Sequence, residues 1–284
     1  MFFNKVTVLG VGLIGASFAL AMKKRKLCGS VTGFGRKEAN LLGAKERGII
    51  DSFEPDPGSA CEGSDLVLFS LPVGSFAENA RRIAGSLREG AIVTDVGSVK
   101  GGLVYEMEEI LSSRASFVGA HPIAGGEASG IGTANADLFE GQKCIITPTG
   151  KTDRAAMDSI AGLWQSLGAE VVMLSPEEHD KVLGAVSHFP HIVAYEIVNA
   201  IDEIDGSYLR YSGRGFRDST RIASSSPELW RDICMFNREN LVHFLDIFIA
   251  RLEKAKTYIA GSDADSVEQE FKKARLLRDR LGQD

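Results

Sequence analysis

The first 174 residues alternate short runs of β-branched and aliphatic residues with segments whose apolar positions recur at helical spacing. Residues 5–10 (KVTVLG) predict a strand, a glycine-rich turn follows, and residues 16–24 have helical composition; residues 31–35 (VTGFG) predict the next strand. The alternation continues with strands at 66–71 (LVLFSL), 91–95 (AIVTD), 116–119, 142–148 and 170–174, and helices at 76–87, 101–111 and 154–167. Continuous apolar strands are buried on both faces, so repeated βα units of this kind predict a parallel sheet with helices on each side.

At Ser175 the pattern changes. Ser175, Pro176 and Glu178 supply an N-cap, a proline at the first helical position and an acid two residues later. Beyond them β-branched runs almost vanish, and helices are predicted at 176–199, 228–256 and 266–281, separated by the Gly/Ser-rich stretch 213–226. The expected division is an α/β domain over 1–174 and an all-helical domain over 175–284. Within residues 241–252, Leu241, Phe244, Leu245, Phe248 and Leu252 share one helical face. That face serves either the core of the chain or a second copy of it, and a homodimer is the expectation.

Composition narrows the function classes. Apolar residues make up 44% of the 284 and charged residues 25%, a globular balance, and the net charge of -6 offers no basic field for a nucleic-acid backbone. Cys28, Cys61, Cys144 and Cys234 lie far apart without metal-ligand spacing, so reduced structural thiols and no metal are expected. The N-terminus lacks the basic region and cleavage site of a signal peptide, and no apolar run reaches the ~18 residues that span a bilayer. A cytoplasmic protein without membrane partners is expected.

Gly10-Val11-Gly12-Leu13-Ile14-Gly15 is G-x-G-x-x-G between a predicted strand and a predicted helix. In that setting backbone N–H groups cradle a pyrophosphate: Gly10 makes the turn, Gly12 admits the phosphates, and Gly15 lets helix and strand pack. Leu13 and Ile14 open the helix, and Ser70 and Pro72, at the end of the 66–71 run, complete the expected cofactor contacts. An NAD site places an acid about 20 residues on. Here Gly35 stands there, followed by Arg36 and Lys37. A glycine leaves room for a 2′-phosphate and an arginine can bind it, so NADP is favoured, with NAD possible.

Polar residues cluster at three other places: 95–100 (DVGSVK), 119–127 (GAHPIAGGE) and 187–191 (SHFPH). The first two follow predicted strands, where open α/β sheets bind ligands. His188 and His191, three residues apart, share a helical face if Pro190 permits, and one of them is expected as a substrate ligand or a core residue. Residues 213–221 (GRGFRDSTR) place three arginines among glycines, either a solvated loop or an anion clamp.

Taken in order, GVGLIGAS, TDVGSVKG, GAHPIAGGEASG, LFEGQKCIITPT, SPEEHD, VSHFPH, GFRDSTRIA and ELWRDI resemble the prephenate/arogenate dehydrogenases of tyrosine biosynthesis, over nearly the whole chain. The resemblance implies a Rossmann domain followed by a helical dimerisation domain, with the active site between domains and partly lined by the partner. It implies oxidative decarboxylation of prephenate or arogenate. It assigns His121 to accept the hydrogen bond of the ring hydroxyl, and Ser98 to a place near nicotinamide and histidine. Arg221 pairs with a substrate carboxylate, His191 and Ser187 contact the substrate side chain, and His188, Arg217 and Gly126 join the expected substrate set. Glu127 and Asp218 resemble a gating ion network. Gly126 departs from the family's AGTE/AGSE pattern, losing a hydroxyl. Neither a fused mutase nor a regulatory domain is expected, so any tyrosine feedback is expected at the active site. A 3-hydroxyacid dehydrogenase or imine reductase would want a catalytic lysine or lack GAHP and VSHFPH, and a non-catalytic NADP sensor would have no need of His121.

Overall fold

The computed structural model describes residues 3–125 and 130–281. By contact, Met1–Arg238 form one compact unit and Glu239–Asp284 a second.

The first unit is built on one eight-stranded sheet: β1 (Phe3–Leu9), β2 (Cys28–Phe34), β3 (Ser52–Phe53), β4 (Leu66–Phe69), β5 (Ala91–Asp95), β6 (Ala115–Pro122), β7 (Lys143–Thr147) and β8 (Glu170–Met173). Their spatial order is β3-β2-β1-β4-β5-β6-β7-β8. The chain winds outward from β1 to β3, then returns to lay β4 on the other side of β1. That reversal opens a crevice at the carboxyl ends of β1 and β4, where such sheets bind ligands.

Helices α1 (Leu13–Lys24), α2 (Glu38–Glu46), α3 (Pro57–Cys61), α4 (Phe76–Ile83), α5 (Gly101–Leu111) and α6 (Arg154–Ser166) connect and cover the strands. The period-two alternation of β4 shows how both faces are filled. Leu66 and Leu68 join a core with Phe18, Phe139 and Trp164, whereas Val67 and Phe69 join the opposite core with Phe76, Ile83 and Met107. Each such fully buried side chain contributes roughly 1.5–3 kcal/mol of transfer free energy.

The sheet differs from the all-parallel expectation at one pairing. β6 and β7 are antiparallel, with His121 opposite Ile145. The described part of the β6–β7 connection holds only a short 3₁₀ turn, Ile131–Thr133, and without a crossover helix the chain returns antiparallel. The same pairing carries β6 past the predicted Gly119 to Pro122, so His121 stands on the strand itself.

The remaining helices are α7 (Pro176–Leu183), α8 (Phe189–Asp205), α9 (Arg214–Thr220), α10 (Pro227–Phe236), α11 (Arg238–Ala260) and α12 (Ala264–Arg278). The start of α7 is a capping box: the Ser175 hydroxyl accepts the Glu178 N–H and the Glu178 carboxylate accepts the Ser175 N–H. A π-turn, Gly184–His188, joins α7 to α8 and absorbs Pro190, which has no N–H to give. The predicted 228–256 helix is two helices that meet at Asn237. Residues 213–226 are largely helical, containing α9 and a 3₁₀ turn at Arg221–Ser224. All four cysteines are free thiols. No helix among the described residues is long and apolar enough to cross a membrane.

Candidate active site

The glycine-rich turn forms one wall of a cleft lined by Gly10, Val11, Gly12, Gly35, Arg36, Lys37, Asn40, Ser70, Leu71 and Pro72. Each glycine has its own steric reason. Gly10 has φ +101°, and a Cβ there would lie 2.2 Å from the Ser70 carbonyl oxygen; at Gly15 it would lie 2.2 Å from the Gly10 carbonyl oxygen. Beside Gly12 there is no protein atom within 4 Å of that position. Gly12 is the N-cap of α1 and has no side chain to satisfy the first N–H groups, so these face the cleft as donors. Asn40 donates from Nδ2 to the Val11 carbonyl at 2.7 Å and ties α2 to the turn. The residues present fit a dinucleotide phosphate. At the end of β2 there is no acid: Phe34 is followed by Gly35 and the exposed Arg36 and Lys37.

At the ends of β5 and β6 the chemistry changes from backbone to buried charge. Lys100 and Asp95 are wholly inaccessible and pair at 2.6 Å. Asp95 also accepts the N–H of Gly97 and of Ala120, and the Lys100 ammonium donates to the Gly97 carbonyl as well. The ion pair is thereby fully hydrogen-bonded, the condition for burying charge without a large net penalty. It clamps the loop that bears Ser98 against the base of β6.

His121 is partly exposed at the end of β6, and its Nδ1 lies 2.8 Å from Nε2 of His179. His179 is fully buried on α7, and its own Nδ1 lies 2.8 Å from Oδ1 of Asp180. Asp180 accepts the backbone N–H of Lys100 at 2.7 Å and of Gly101 at 2.8 Å, capping α5. A Cβ on Gly101 would meet that carboxylate at 2.7 Å, so the cap needs glycine there. Loss of hydration on burial holds the His121 ring well below the usual imidazole value, and His179, Lys100 and His188 add to the effect. Burial, reinforced by Lys100 and His188, pushes His179 down to about 2. Both imidazoles are thereby held neutral at physiological pH.

His188 is also buried, on the π-turn, where burial lowers it to about 4 against the opposing pull of Asp180. Its Nδ1 lies 3.0 Å from the amide of Asn237, which also donates to the Asp180 carbonyl at 2.7 Å. That double contact explains the helix break at Asn237. His191 stands half-buried on α8, stacked on Trp230 at 3.5 Å with an interplanar angle of 20°, and its Nδ1 lies 3.0 Å from the Ser187 carbonyl. Both histidines meet Trp230, the buried His188 edge-on with ring centroids 6.1 Å apart and the half-buried His191 stacked at 3.5 Å.

Ser98 and Ser187 are partly exposed, while Arg217 and Arg221 are exposed on and just after α9. Asp218 pairs with Arg214 one helical turn away, at 3.4 Å. Gly126 and Glu127 lie outside the described residues. His179, Asp180, Asn237, Trp230 and Asn40 also belong to the site, with no role assigned to them by the sequence pattern. A local signal existed for only one pair: His and Asp side by side within SPEEHD, next to a capped helix start.

Comparison with known proteins agrees with this geometry along the whole chain. Residues 18–173 match the family described as prephenate dehydrogenase, nucleotide-binding domain, and residues 175–273 match prephenate dehydrogenase, dimerization domain. The chain is 37% identical to the prephenate dehydrogenase of Bacillus subtilis over 98% of its own length and 76% of that protein. It is 34% identical to the cyclohexadienyl dehydrogenase of Zymomonas mobilis, covering 97% of this chain and 95% of that one. Among solved structures, prephenate dehydrogenase from Aquifex aeolicus in complex with hydroxyphenyl propionate and NAD+ superposes with a TM-score of 0.93 at 36% identity, covering 99% of both chains. A glycine-lined dinucleotide cleft beside a neutral histidine at a strand end, matched from end to end by these relatives, places the chain in the prephenate dehydrogenase family.

Proposed function

We propose that this protein oxidatively decarboxylates prephenate or arogenate, with NADP preferred over NAD as the hydride acceptor. The observation that carries the reading is His121: a neutral imidazole at the end of β6, on the sheet edge that also holds the dinucleotide cleft. When bound, a nicotinamide dinucleotide takes the hydride from the hydroxyl-bearing ring carbon. His121 accepts the hydrogen bond of that hydroxyl and stabilises the developing carbonyl. The ring carboxylate leaves as CO2, and its bonding pair enters the ring, which becomes aromatic. The proton held against His121 then stays with the phenol oxygen, so no net proton is released.

Within this reading, residues 1–174 hold the dinucleotide and residues 175–284 provide the dimer contacts and the substrate-side residues. Ser98 lies near the nicotinamide, Arg221 pairs with a substrate carboxylate, and His191, Ser187 and Arg217 contact the substrate side chain. His188 supports them from beneath, and Asp218 serves the gating network with Glu127, as Gly126 serves the substrate set. The exposed apolar residues of α10, α11 and α12, among them Met235, Ile247, Ile259 and Phe271, support a homodimer. The protein is proposed to work in the cytoplasm. The missing acid after β2 supports NADP, with Arg36 and Lys37 as the cations for its 2′-phosphate.

The test is initial NADPH and NADH formation with prephenate and arogenate supplied separately, for wild type, His121→Asn and Arg36→Ala. Turnover of either substrate that is lost in His121→Asn supports the reading and names the substrate. Arg36→Ala should lower kcat/KM with NADP about tenfold and leave NAD turnover nearly unchanged, since a charge-assisted hydrogen bond is lost only from the phosphate. Cofactor binding without turnover of either substrate would sink it.

A further inference from the structure

The contacts of His121 define which of its nitrogens bears the proton. Both oxygens of Asp180 accept backbone N–H groups, Oδ1 from Lys100 and Oδ2 from Gly101, at the N-terminus of α5. That position favours the carboxylate, which only accepts. Burial raises the Asp180 carboxyl, and the same two N–H groups pull it back. His179 must then donate from Nδ1 to Asp180 across 2.8 Å. A neutral imidazole that donates from Nδ1 accepts at Nε2, so across the second 2.8 Å contact the donor is Nδ1–H of His121. The lone pair of His121 is left on Nε2.

We propose that Asp180 and His179 are positioning residues that hold His121 in its Nδ1–H tautomer, presenting the Nε2 lone pair to whatever donor enters the site. Its service to the ring hydroxyl rests on the function proposed above; the tautomer itself does not. A carboxylate that orients one histidine through another does the work that a carboxylate does for a histidine in a hydrolase triad, where the corresponding Asp→Asn change costs about 10⁴ in rate because the wrong tautomer forms. The groups that face this chain are few. Lys100 approaches from the start of α5 and His188 from the π-turn, Asp95 neutralises Lys100 beneath them, and β7 brings only the Cys144 thiol, which burial pushes up and keeps uncharged. Among the described residues, none of these supplies a competing acceptor to His121 Nδ1.

Nitrogen-15 spectra of the full-length protein, labelled in its imidazole nitrogens and free of ligand, read the tautomer directly. His121 should carry its proton on Nδ1 and none on Nε2, and stay neutral at pH 7. In His179→Gln the amide accepts from His121 and donates to Asp180, so the tautomer and kcat should hold within about tenfold. In His179→Leu the Nδ1 preference should vanish and kcat should fall about a hundredfold or more with KM little changed. Asp180→Asn should move the proton of His121 to Nε2 and lower kcat about a thousandfold or more. A wild-type proton on Nε2, or a His179→Leu protein with native tautomer and native kcat, overturns the proposal. The predicted tautomer in a protein that turns over neither prephenate nor arogenate upholds the inference and defeats the proposed reaction instead. If a variant fails to fold, the wild-type spectrum and His179→Gln still decide.

Discussion

Two regions at the same edge of one sheet are built on opposite principles. The cleft between β1, β2 and β4 is a backbone site: three glycines, an uncapped helix start and exposed basic residues, with no buried charge among its walls. Two strands away, the ends of β5 and β6 carry a fully buried ion pair and two histidines that meet from distant parts of the sequence. A phosphate binds N–H dipoles that need only the right local backbone, whereas a proton acceptor needs a chosen pKa and tautomer, which come from burial and partners. The cleft is consequently a local structure, and the histidine site a tertiary one.

The largest effect that separates them concerns Lys100. Lys100→Met should strand the Asp95 carboxylate without its partner and destabilise the protein by about 3–5 kcal/mol, read as a lowered urea midpoint. Adding Asp95→Asn should recover part of that loss; a single variant of native stability would show that the pair is not the clamp described here.

On the other side of the comparison, Gly12→Ala should leave stability within about 0.5 kcal/mol, because no protein atom would touch the new methyl. It should nonetheless weaken dinucleotide binding by tenfold or more, about 1.4 kcal/mol, by filling the space a phosphate requires. Calorimetric titration with NADP against urea unfolding separates the two, and a parallel loss of both would make Gly12 a folding residue like Gly10 and Gly15.

A smaller effect per group lies in pH. His121, His179 and His188 are depressed in the folded state, to about 2 for His179 and about 4 for His188, while the unfolded chain titrates near 6.5. Below that value the unfolded state binds protons the native state refuses. Stability should thus be complete above about pH 6.5 and fall as pH drops toward 4, each ring contributing up to about 1.4 kcal/mol per pH unit. Asp95 and Asp180, raised by burial, take up protons in the native state first and offset part of the loss at the acid end. Urea midpoints between pH 7 and pH 4.5 check this, and a slope no steeper than a single histidine allows would contradict three rings held neutral in the fold.

Much of this was legible in advance where the determinants are local. The βα alternation, the turn at Gly10–Gly15, the missing acid at Gly35 and the capping box at Ser175 each depend on residues within a few positions of one another, and the structure shows each of them. The antiparallel turn of β7 was not legible, because the direction of a strand is set by the path between strands and not by its own residues. Nor was the break at Asn237, since the helical period runs through it and only the buried contacts to Asp180 and His188 reveal why the helix ends.

By itself the sequence determined the order of elements, the dinucleotide turn and the chemical types available at the site, because periodicity, glycine sterics and capping act over one or two turns of chain. Only the tertiary structure decided that His121 would meet His179 rather than His188 or His191, and that Asp180, 79 residues from Gly101, would cap α5 while orienting that histidine. The reason is physical: an imidazole's pKa and tautomer are properties of what surrounds it, and those surroundings come from three separate parts of the chain that fold to one place.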